Sequence, residues 1–407
     1  MASGERRDRP RGQVPKKIEC IARNQNMFLS TAQVIGMTEA SLRDFLSLAI
    51  KELYYLDYKV ALSGKTEKEE KREFLKDVSA FANAAGGDLI IGVLQPKDGL
   101  SVNDQLVGIE NGDEVAGSLE RLAAASLDPR VSGLLVVPVD LTTGRSCIVV
   151  HVPPSMSRPH MVSQDGHRSF YIRHTESSVP MSTHEIRESV LSAASAEAKA
   201  RNFSRDRLDE VRRRFGTNHP VFFLQAIPLI APATQWNVLA PEFHELVNGH
   251  DRNAKYSRFP LSLFDVRPTI DGLRGRDDKV APSTEVEVHR SGYVSAIQCE
   301  REIDEFRNFK GFFVHRTYCN LFKAFTDILK QVWQITATDV PYLINCACLN
   351  AGGVRLVTEP LGSVSDAFEK EVLVWPEHPR ATGEDPTPIA DALCLEMFNA
   401  FGLRSIS

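Results

Sequence analysis

Three charged residues in the first quarter of the chain have the types and spacing to do chemistry: Glu52, Asp57 and Lys59. Carboxylate oxygens are the ligands that a hard divalent cation requires, and a lysine beside them stabilises negative charge on a phosphoryl oxygen. Asp57 and Lys59 share one face of an extended segment, because side chains alternate along a strand. Glu52 joins that face only if it lies on the end of a preceding helix. A solvated ion pair between Asp57 and Lys59 is the alternative interpretation.

The sequence around these residues predicts a strand, a helix and a second strand. Segment Leu53–Leu62 alternates apolar and polar residues, which is typical of a half-exposed strand. Apolar residues then recur at helical spacing from Glu67 to the Gly86-Gly87 pair, where glycine allows a helix to end. Segment Asp88–Val93 predicts a strand covered on both faces.

The rest of the N-terminal half continues with helices and strands in mixed order. The predicted elements are a helix capped by Thr38, a helix around Val115 and Leu122, a hairpin of Leu134–Val139 with Cys147–Val152, a strand Ser169–His174 and a helix Ser182–Ala200. The order predicts a mixed α/β fold without the strict alternation of a doubly wound sheet.

An ordered series of short motifs runs through these elements. It consists of Glu52-x4-Asp57-Tyr58-Lys59, then Ser79-Ala80-Phe81-Ala82-Asn83-x2-Gly86-Gly87-x4-Gly92-Val93, then Arg158-Pro159-His160 and Tyr171-Ile172-Arg173. The series resembles the Schlafen AlbA_2 domain, whose usual pattern is E-x4-E-F-K, then AFANTxGG-x4-GV, then RP and Y-I-R. The resemblance covers about Thr38 to Ser195. It implies an AlbA_2-type α/β domain at residues 38–200, and its length makes it more specific than one short motif.

The resemblance also implies an activity. In Schlafen-type ribonucleases, the carboxylates that match Glu52 and Asp57 and a third acid after the GV pair hold a divalent metal and cut RNA. It therefore implies a Mg²⁺ or Mn²⁺ site at Glu52 and Asp57, with Lys59 beside it, in an endoribonuclease acting on tRNA or other structured RNA.

This chain departs from the family pattern at the third acid. Leu94 and Gln95 follow the GV pair, and neither side chain is an anionic ligand. Asp88 and Asp98 are alternative donors, although neither occupies the matching position. Two hypotheses follow: a working nuclease, or a motif that serves as fold signature or binding surface.

Several basic residues are candidates for contacts with nucleic acid. Arg158, His160 and Arg173 lie in predicted strands and loops, where a cation can face a groove. Segment Lys199–Arg214 continues the last helix as a basic connector, assigned to residues 201–218, and contains Arg201, Arg205, Arg207, Arg212, Arg213 and Arg214. Guanidinium groups along a helix bind a phosphate backbone without reading its sequence. A solvated connector is the plainer alternative.

A nucleotide-binding alternative rests on Ser63-Gly64-Lys65-Thr66 between a strand and a helix. The phosphate-loop pattern GxxxxGK[ST] requires glycine at the position of Lys59, so the motif is incomplete. ATP binding therefore remains the weaker hypothesis.

Composition limits the remaining classes. The net charge of −5 gives no global argument for nucleic-acid binding, so a local basic surface must carry it. Seven scattered cysteines without a CxxC motif favour a reducing cytoplasm. The apolar run Val221–Ala233 is broken by prolines and too short for a bilayer, so no membrane partner is expected. Residues 1–28 are predicted to be a disordered basic tail.

Residues 219–407 predict a second domain of the α+β class, without a catalytic motif. The predicted strands and helix are Val221–Ile227, Thr284–Arg290, Tyr293–Gln298, Tyr342–Leu349, Gly353–Val357, Glu371–Trp375 and the helix Val314–Thr336. Cys346 and Cys348 share a strand face and favour core packing over a metal site. A protein-interaction role for this domain, and a homo-oligomer, remain open alternatives.

Overall fold

The computed structural model describes residues 29–403 except 49, 51–53, 63, 65, 98–99, 176, 217–218, 233–234, 249–264, 278–282, 300–304, 307–308, 311, 337–339 and 359–362. The predicted tail 1–28, Glu52 and Asp98 therefore lie outside the described residues. The fold is mixed α/β, as the sequence predicts. In the part of the chain that the structure describes, no helix has the length and apolar character needed to cross a membrane.

The N-terminal half combines helices with short strands. Its helices are α1 (Thr31–Ile35), α2 (Glu39–Ser47), α3 (Glu67–Asn83), α4 (Val102–Gln105), α5 (Gly112–Ser126) and α6 (Thr183–Phe215). Its strands are β1 (Leu56–Lys59), β2 (Gly87–Ile91), β3 (Leu127–Asp128), β4 (Leu135–Asp140), β5 (Ser146–Val152), β6 (Met161–Gln164), β7 (His167–His174) and β8 (Ser177–Pro180).

The first sheet has the strand order β1-β2-β5-β4, and helices cover both of its faces. Strands β1 and β2 are parallel and joined by α3, whereas β5 is antiparallel to both neighbours. In the register of the parallel pair, Asp57 lies opposite Leu89 and Leu56 lies opposite Asp88. Leu89 packs in the core beneath α3 and Leu56 in the core beneath α2. Asp57 therefore faces α3, and Asp88 faces the opposite side.

Helix α3 has strong signals at both ends. The Thr66 hydroxyl accepts a hydrogen bond from the Glu69 amide, and the acidic first turn complements the helix dipole. After the helix, Gly86 has a φ of 82°, a conformation that disfavours residues with a Cβ. A Cβ on Gly87 would lie 2.1 Å from the Phe81 ring. The two glycines thus end the helix and let β2 pass close to it, as expected.

A second sheet, β3-β6-β7-β8, packs against the other side of α3. Asn83 joins the helix to this sheet, since its Nδ2 donates hydrogen bonds to the carbonyls of His160 (3.0 Å) and Tyr171 (2.8 Å). Its Oδ1 accepts from the His160 amide at 2.6 Å.

Helix α6 is one continuous helix of 33 residues, about 50 Å long. Ser182 and Glu185 form a capping box at its start, and Arg212, Arg213 and Arg214 in the last turn complement the negative end of the dipole. The predicted helix and the predicted basic connector are therefore one element.

The C-terminal half is built on one antiparallel sheet of the order β10-β11-β12-β13-β9-β17-β19, with β20 also paired to β17. Its strands are β9 (Val221–Pro228), β10 (Asp265–Pro268), β11 (Gly272–Asp277), β12 (Ser283–His289), β13 (Val294–Cys299), β17 (Tyr342–Leu349), β19 (Val372–Val374) and β20 (His378–Arg380). Short pairs are formed by β14 (Glu305–Phe306) with β15 (Phe309–Lys310) and by β16 (Phe312–Val314) with β18 (Arg355–Val357).

Helices cover both faces of this sheet. One face packs against α7 (Pro241–Asn248), α8 (His315–Thr336) and α9 (Thr387–Ala400) in the largest apolar core. The opposite face receives the C-terminal half of α6 through Ala200, Leu208 and Val211. Cys346 and Cys348 are buried in the large core, which confirms their predicted packing role.

We expect Asn83→Ala to destabilise the N-terminal half by about 2–4 kcal/mol, because the buried His160 amide and Tyr171 carbonyl lose this partner and the His160 carbonyl keeps the Ser79 hydroxyl. Hydrogen exchange measured by mass spectrometry should show faster exchange in β6 and β7. Tryptophan fluorescence should respond less to this substitution than hydrogen exchange in β6 and β7 does, because all three tryptophans, Trp236, Trp333 and Trp375, belong to the C-terminal half.

The matched control is Asn202→Ala, which replaces an exposed asparagine of α6 and should change stability by less than about 0.5 kcal/mol. If the Asn83→Ala variant and the wild type show equal exchange rates in β6 and β7, Asn83 does not hold the second sheet on α3.

Candidate functional site

The structure brings Asp57, Lys59 and Arg173 together beneath α3. An Arg173 Nη1 donates to Asp57 Oδ2 at 3.0 Å, and Lys59 Nζ lies 3.5 Å from the same oxygen. Asp57 and Arg173 are almost fully buried, whereas the Lys59 side chain is 29% exposed. The predicted shared face of Asp57 and Lys59 is present, and the pair is buried rather than solvated.

A second acid, Asp77 of α3, completes the arrangement. Lys59 Nζ lies 3.5 Å from Asp77 Oδ2, and the Ser178 hydroxyl of β8 donates to Asp77 Oδ1 at 2.8 Å. We call Asp57, Lys59, Asp77, Arg173 and Ser178 the buried charge cluster. It links β1, α3, β7 and β8, and its two carboxylates face two cations.

The environment of the cluster shifts two pKa values. Burial raises the pKa of the Asp77 carboxyl; Lys59 opposes this rise and Asp57 adds to it. Burial alone would lower the pKa of Lys59, but the carboxylates of Asp77 and Asp57 outweigh it and raise that pKa. The lysine therefore stays charged at neutral pH.

Arg173 makes two further contacts besides its ion pair with Asp57. One Nη donates to the Leu56 carbonyl at 3.4 Å, and the guanidinium lies 4.8 Å from the centroid of the Phe81 ring. The residue is 2% exposed. The charge of the guanidinium is thus engaged by Asp57, and a contact of Arg173 with phosphate stays a prediction.

The described donors do not fit a Mg²⁺ or Mn²⁺ ion. The Asp57 and Asp77 carboxylates are oriented on Lys59 and Arg173, so a divalent ion would have to displace both cations. Asp88 lies on the opposite face of the sheet, where it binds His151 Nδ1 (2.7 Å) and the Leu29 amide (3.0 Å). Among the described residues, no group of three or more His, Cys, Asp or Glu side chains is placed to hold a metal.

Arg158 and His160 also serve the fold. The Arg158 guanidinium donates to the Ala84 carbonyl and to the Ser192 hydroxyl, each at 3.2 Å. His160 is fully buried, and its Nδ1 donates to the Pro129 carbonyl at 2.6 Å. Burial lowers the pKa of His160, which favours the neutral imidazole. Both side chains therefore make internal contacts, and their binding to nucleic acid stays a prediction.

The basic residues of α6 divide into exposed and engaged groups. Arg205, Arg212 and Arg213 are exposed, although Arg212 also lies 3.9 Å from Asp209. Arg201 pairs with Glu377 at 2.8 Å and with Glu197. Arg205, Arg212 and Arg213 therefore remain available at the surface.

Two further arginines of α6 pack against the sheet. Arg207 binds Glu287 and Arg214 binds Glu285, both of β12, and these two glutamates are 3% and 2% exposed. Arg274 and Arg276 of β11 approach the same glutamates from the other side. We call Arg207, Arg214, Arg274 and Arg276 the clamped arginines.

We call the clamped arginines with Glu285 and Glu287 the clamp. Its charges shift the pKa of Glu287. Burial alone would raise the pKa of Glu287, but His289, Arg207 and Arg274 outweigh burial and lower it to about 2. The side chains of Arg274 and Arg276 keep 37% and 39% of their surface exposed. Arg274 and Arg276 are therefore partly exposed cations that are paired with buried glutamates.

Sequence reasoning missed Asp77 and the clamp. Asp77 stands between Phe74 and Phe81 at the i+3 position of a buried helical stripe, and an acid at that position is a signal for a buried partner. Glu285 and Glu287 alternate with Val286 in β12. That alternation is typical of a half-exposed strand. The local sequence therefore does not indicate that α6 covers the side of β12 with Glu285 and Glu287.

Part of the chain is similar to known proteins. The family model "Schlafen, AlbA_2" matches residues 52–182. No curated protein matches the chain. A solution NMR structure of the N-terminal domain of an ATP-dependent DNA helicase RecG-related protein from Nitrosomonas europaea is 24% identical, covering 36% of this chain and 97% of that one, with a TM-score of 0.25.

We expect Asp77→Asn to gain stability relative to the wild type as pH rises from about 3.5 to neutrality. An acid whose pKa is raised by folding contributes stability that is present below its unfolded pKa and is lost as pH rises through its folded pKa. Asparagine does not ionise, so the variant escapes this loss. Urea unfolding at a series of pH values measures the difference.

Asp113→Asn in the exposed first turn of α5 is the control for removal of one negative charge. The measured quantity is the free energy of unfolding of Asp77→Asn minus that of the wild type. If this difference stays constant or falls as pH rises, burial does not dominate the pKa of Asp77.

We expect Mn²⁺ and Mg²⁺ to leave the Tm of the protein unchanged, because both described carboxylates are already paired with cations. A metal present at a hundredfold excess over its Kd would stabilise the fold by about 2.7 kcal/mol. The same samples, incubated with tRNA, should show no cleavage that depends on metal. A Tm increase or cleavage that Asp57→Asn abolishes would support the nuclease alternative instead.

Proposed function

We propose that this chain, whose residues 52–182 match the Schlafen AlbA_2 family model, binds nucleic acid through the phosphate backbone. The contacting surface consists of the exposed arginines Arg205, Arg212 and Arg213 of α6. We call this surface the arginine face. The observation that carries the proposal is the exposure of these three arginines on a helix that Arg207 and Arg214 fix to the sheet through Glu287 and Glu285.

The spacing of the exposed arginines suits a regular anionic chain. Arg205 and Arg212 are two helical turns apart on one side of α6, which separates their backbones by about 10.5 Å. Nucleic-acid strands carry one phosphate per about 3.4 Å of helix axis. The two guanidinium groups therefore span about three nucleotides along the axis. Contacts of this kind fix position and carry no base information.

The clamped arginines fix the helix that carries this surface. Arg207 and Arg214 lie about half a turn around α6 from Arg205 and Arg212. Their ion pairs with Glu287 and Glu285 hold the opposite side of the helix on the sheet. The arginine face is therefore presented on a helix with a fixed position.

The AlbA_2 domain has a supporting role in this proposal. Arg158, His160 and Arg173 make internal contacts, and Arg158 donates to Ser192 of α6, so the domain contributes a base for the helix. A sequence-tolerant binder in the cytoplasm, with a regulatory or defence role, is consistent with this division.

We expect fluorescence anisotropy with single-stranded RNA, double-stranded RNA and DNA of mixed sequence to show binding at low salt. Affinity should fall linearly with salt on a log–log scale. The triple variant Arg205→Gln, Arg212→Gln, Arg213→Gln should reduce that slope by about 0.7 to 0.9 per lost contact, which is about two to three in total.

A charge-matched control replaces three exposed arginines elsewhere: Arg121→Gln, Arg130→Gln and Arg187→Gln. This triple variant should retain the wild-type slope. The proposal fails if the wild type binds none of the three probes at low salt, if binding is independent of salt, or if both triple variants weaken binding equally.

A further inference from the structure

Two cysteines meet across the contact between α8 and α9, far along the chain from the AlbA_2 domain. His315, Cys319 and Lys323 follow one another at four-residue intervals on α8 and thus lie on one face. Cys394 of α9 faces this stripe, and it is the strongest influence on the Cys319 thiol. Both cysteines are partly exposed.

Ion pairs fix the two helices on one side of this contact. Lys323 pairs with Asp391 at 3.6 Å, and Lys330 pairs with Asp385 at 2.8 Å. The residue numbers increase along α8 as they decrease along α9, so the helices are antiparallel. Cys319 and Cys394 therefore occupy facing positions that the surrounding pairs hold in register.

His315 is positioned to protonate and deprotonate groups at this site. Its Nε2 lies 3.3 Å from Cys319 Sγ and 3.3 Å from the Cys394 carbonyl oxygen. The ring packs edge-on against Phe398, with centroids 4.3 Å apart. The imidazole is thus held between the two cysteines.

The electrostatics agree with this geometry. The Cys394 thiol, His315 and Lys323 lower the pKa of Cys319 to about 6, against the opposing effect of burial. Burial alone would lower the pKa of His315, but its contacts with Cys319 raise it. An imidazolium and a thiolate therefore stabilise each other near neutral pH.

The other described cysteines differ from Cys319 in their exposure, and two of them differ also in the direction of their pKa shift. Cys147, Cys299, Cys346 and Cys348 are buried. Burial raises the pKa of Cys147 to about 11 and also raises that of Cys346. Of the cysteines that the structure describes, only Cys319 and Cys394 combine partial exposure with a facing thiol.

We propose that Cys319 is a hydroperoxide-reactive thiol and that Cys394 resolves its oxidised form, so that oxidation joins α8 to α9 by a disulfide. The site takes a small hydroperoxide, such as hydrogen peroxide, as its co-reactant. The proposal is independent of nucleic-acid binding and uses no residue of the arginine face.

The chemistry balances in two steps. The Cys319 thiolate attacks one peroxide oxygen, the O–O bond breaks, and the leaving hydroxide takes the proton of the His315 imidazolium to form water. The resulting sulfenic acid is then attacked by the sulfur of Cys394; the S–O bond breaks, and the oxygen leaves as a second water with the Cys394 proton. Two thiols are oxidised by two electrons, and one peroxide is reduced to two waters.

The first test measures the product. The full-length protein, reduced and then treated with hydrogen peroxide, should yield a peptide pair linked through Cys319 and Cys394 in non-reducing mass spectrometry. In Cys394→Ser, the linked pair should be absent and a sulfenic acid at Cys319 should be trapped by dimedone. In Cys348→Ser, which removes a buried thiol, the linked pair should form as in the wild type.

The second test measures reactivity through the pH profile of alkylation by iodoacetamide. At pH 6, about half of the Cys319 thiol is thiolate, whereas an ordinary thiol with a pKa of 8.5 is about 0.3% thiolate. A lower nucleophilicity offsets about tenfold of this gain. Cys319 should therefore react about tenfold faster than the cysteines of the urea-unfolded chain, and His315→Gln should remove most of the difference.

The two tests together decide the proposal. It is overturned if peroxide links other cysteines in preference to Cys319 and Cys394. It is equally overturned if the folded wild type alkylates Cys319 no faster than the unfolded chain, or if His315→Gln leaves the pH profile unchanged.

Discussion

The pairing of buried charge controls the architecture of the N-terminal half. An ion taken out of water costs several kcal/mol, and only a well-placed partner offsets that cost. Asp57 in β1 meets this condition through Arg173 in β7, which is distant in sequence and belongs to the other sheet. Because each ion requires the other, β1 and β7 can be buried together only in the arrangement that brings the pair into contact. Helix α3, which lies between the sheets and carries Asp77, is fixed by the same requirement.

Buried charges in the C-terminal half also require partners, but their arrangement differs. Glu285 and Glu287 are buried under α6, and four arginines converge on them. In the buried charge cluster, two carboxylates face two cations and little charge remains. In the clamp, the four arginines meet Glu285 and Glu287 of β12, Arg207 also pairs with Glu210 of α6, and parts of the guanidinium groups reach solvent. The first arrangement is therefore mostly buried, whereas the second keeps partly exposed cations.

Local periodicity was sufficient to predict the elements that bury one regular face. Helix α3 and strand β17 begin and end close to their predicted positions, because capping residues and apolar spacing act within a few residues. The burial of Arg173 could not be predicted in this way. An arginine at a polar position of a strand looks like a surface cation, and its partner Asp57 lies 116 residues away. The pattern contains no information on which distant segment covers a polar face.

The motif residues of the AlbA_2 resemblance explain the fold better than they explain catalysis. Asp57 holds Arg173, Asn83 holds the segment at His160, and Gly87 accommodates the Phe81 ring. A metal at Asp57 would have to free that carboxylate from Arg173 and leave a guanidinium buried alone. Breaking a buried ion pair from one side costs about 3–5 kcal/mol. A divalent ion would have to recover this cost from the remaining described donors, and those donors face Lys59 or the opposite side of the sheet.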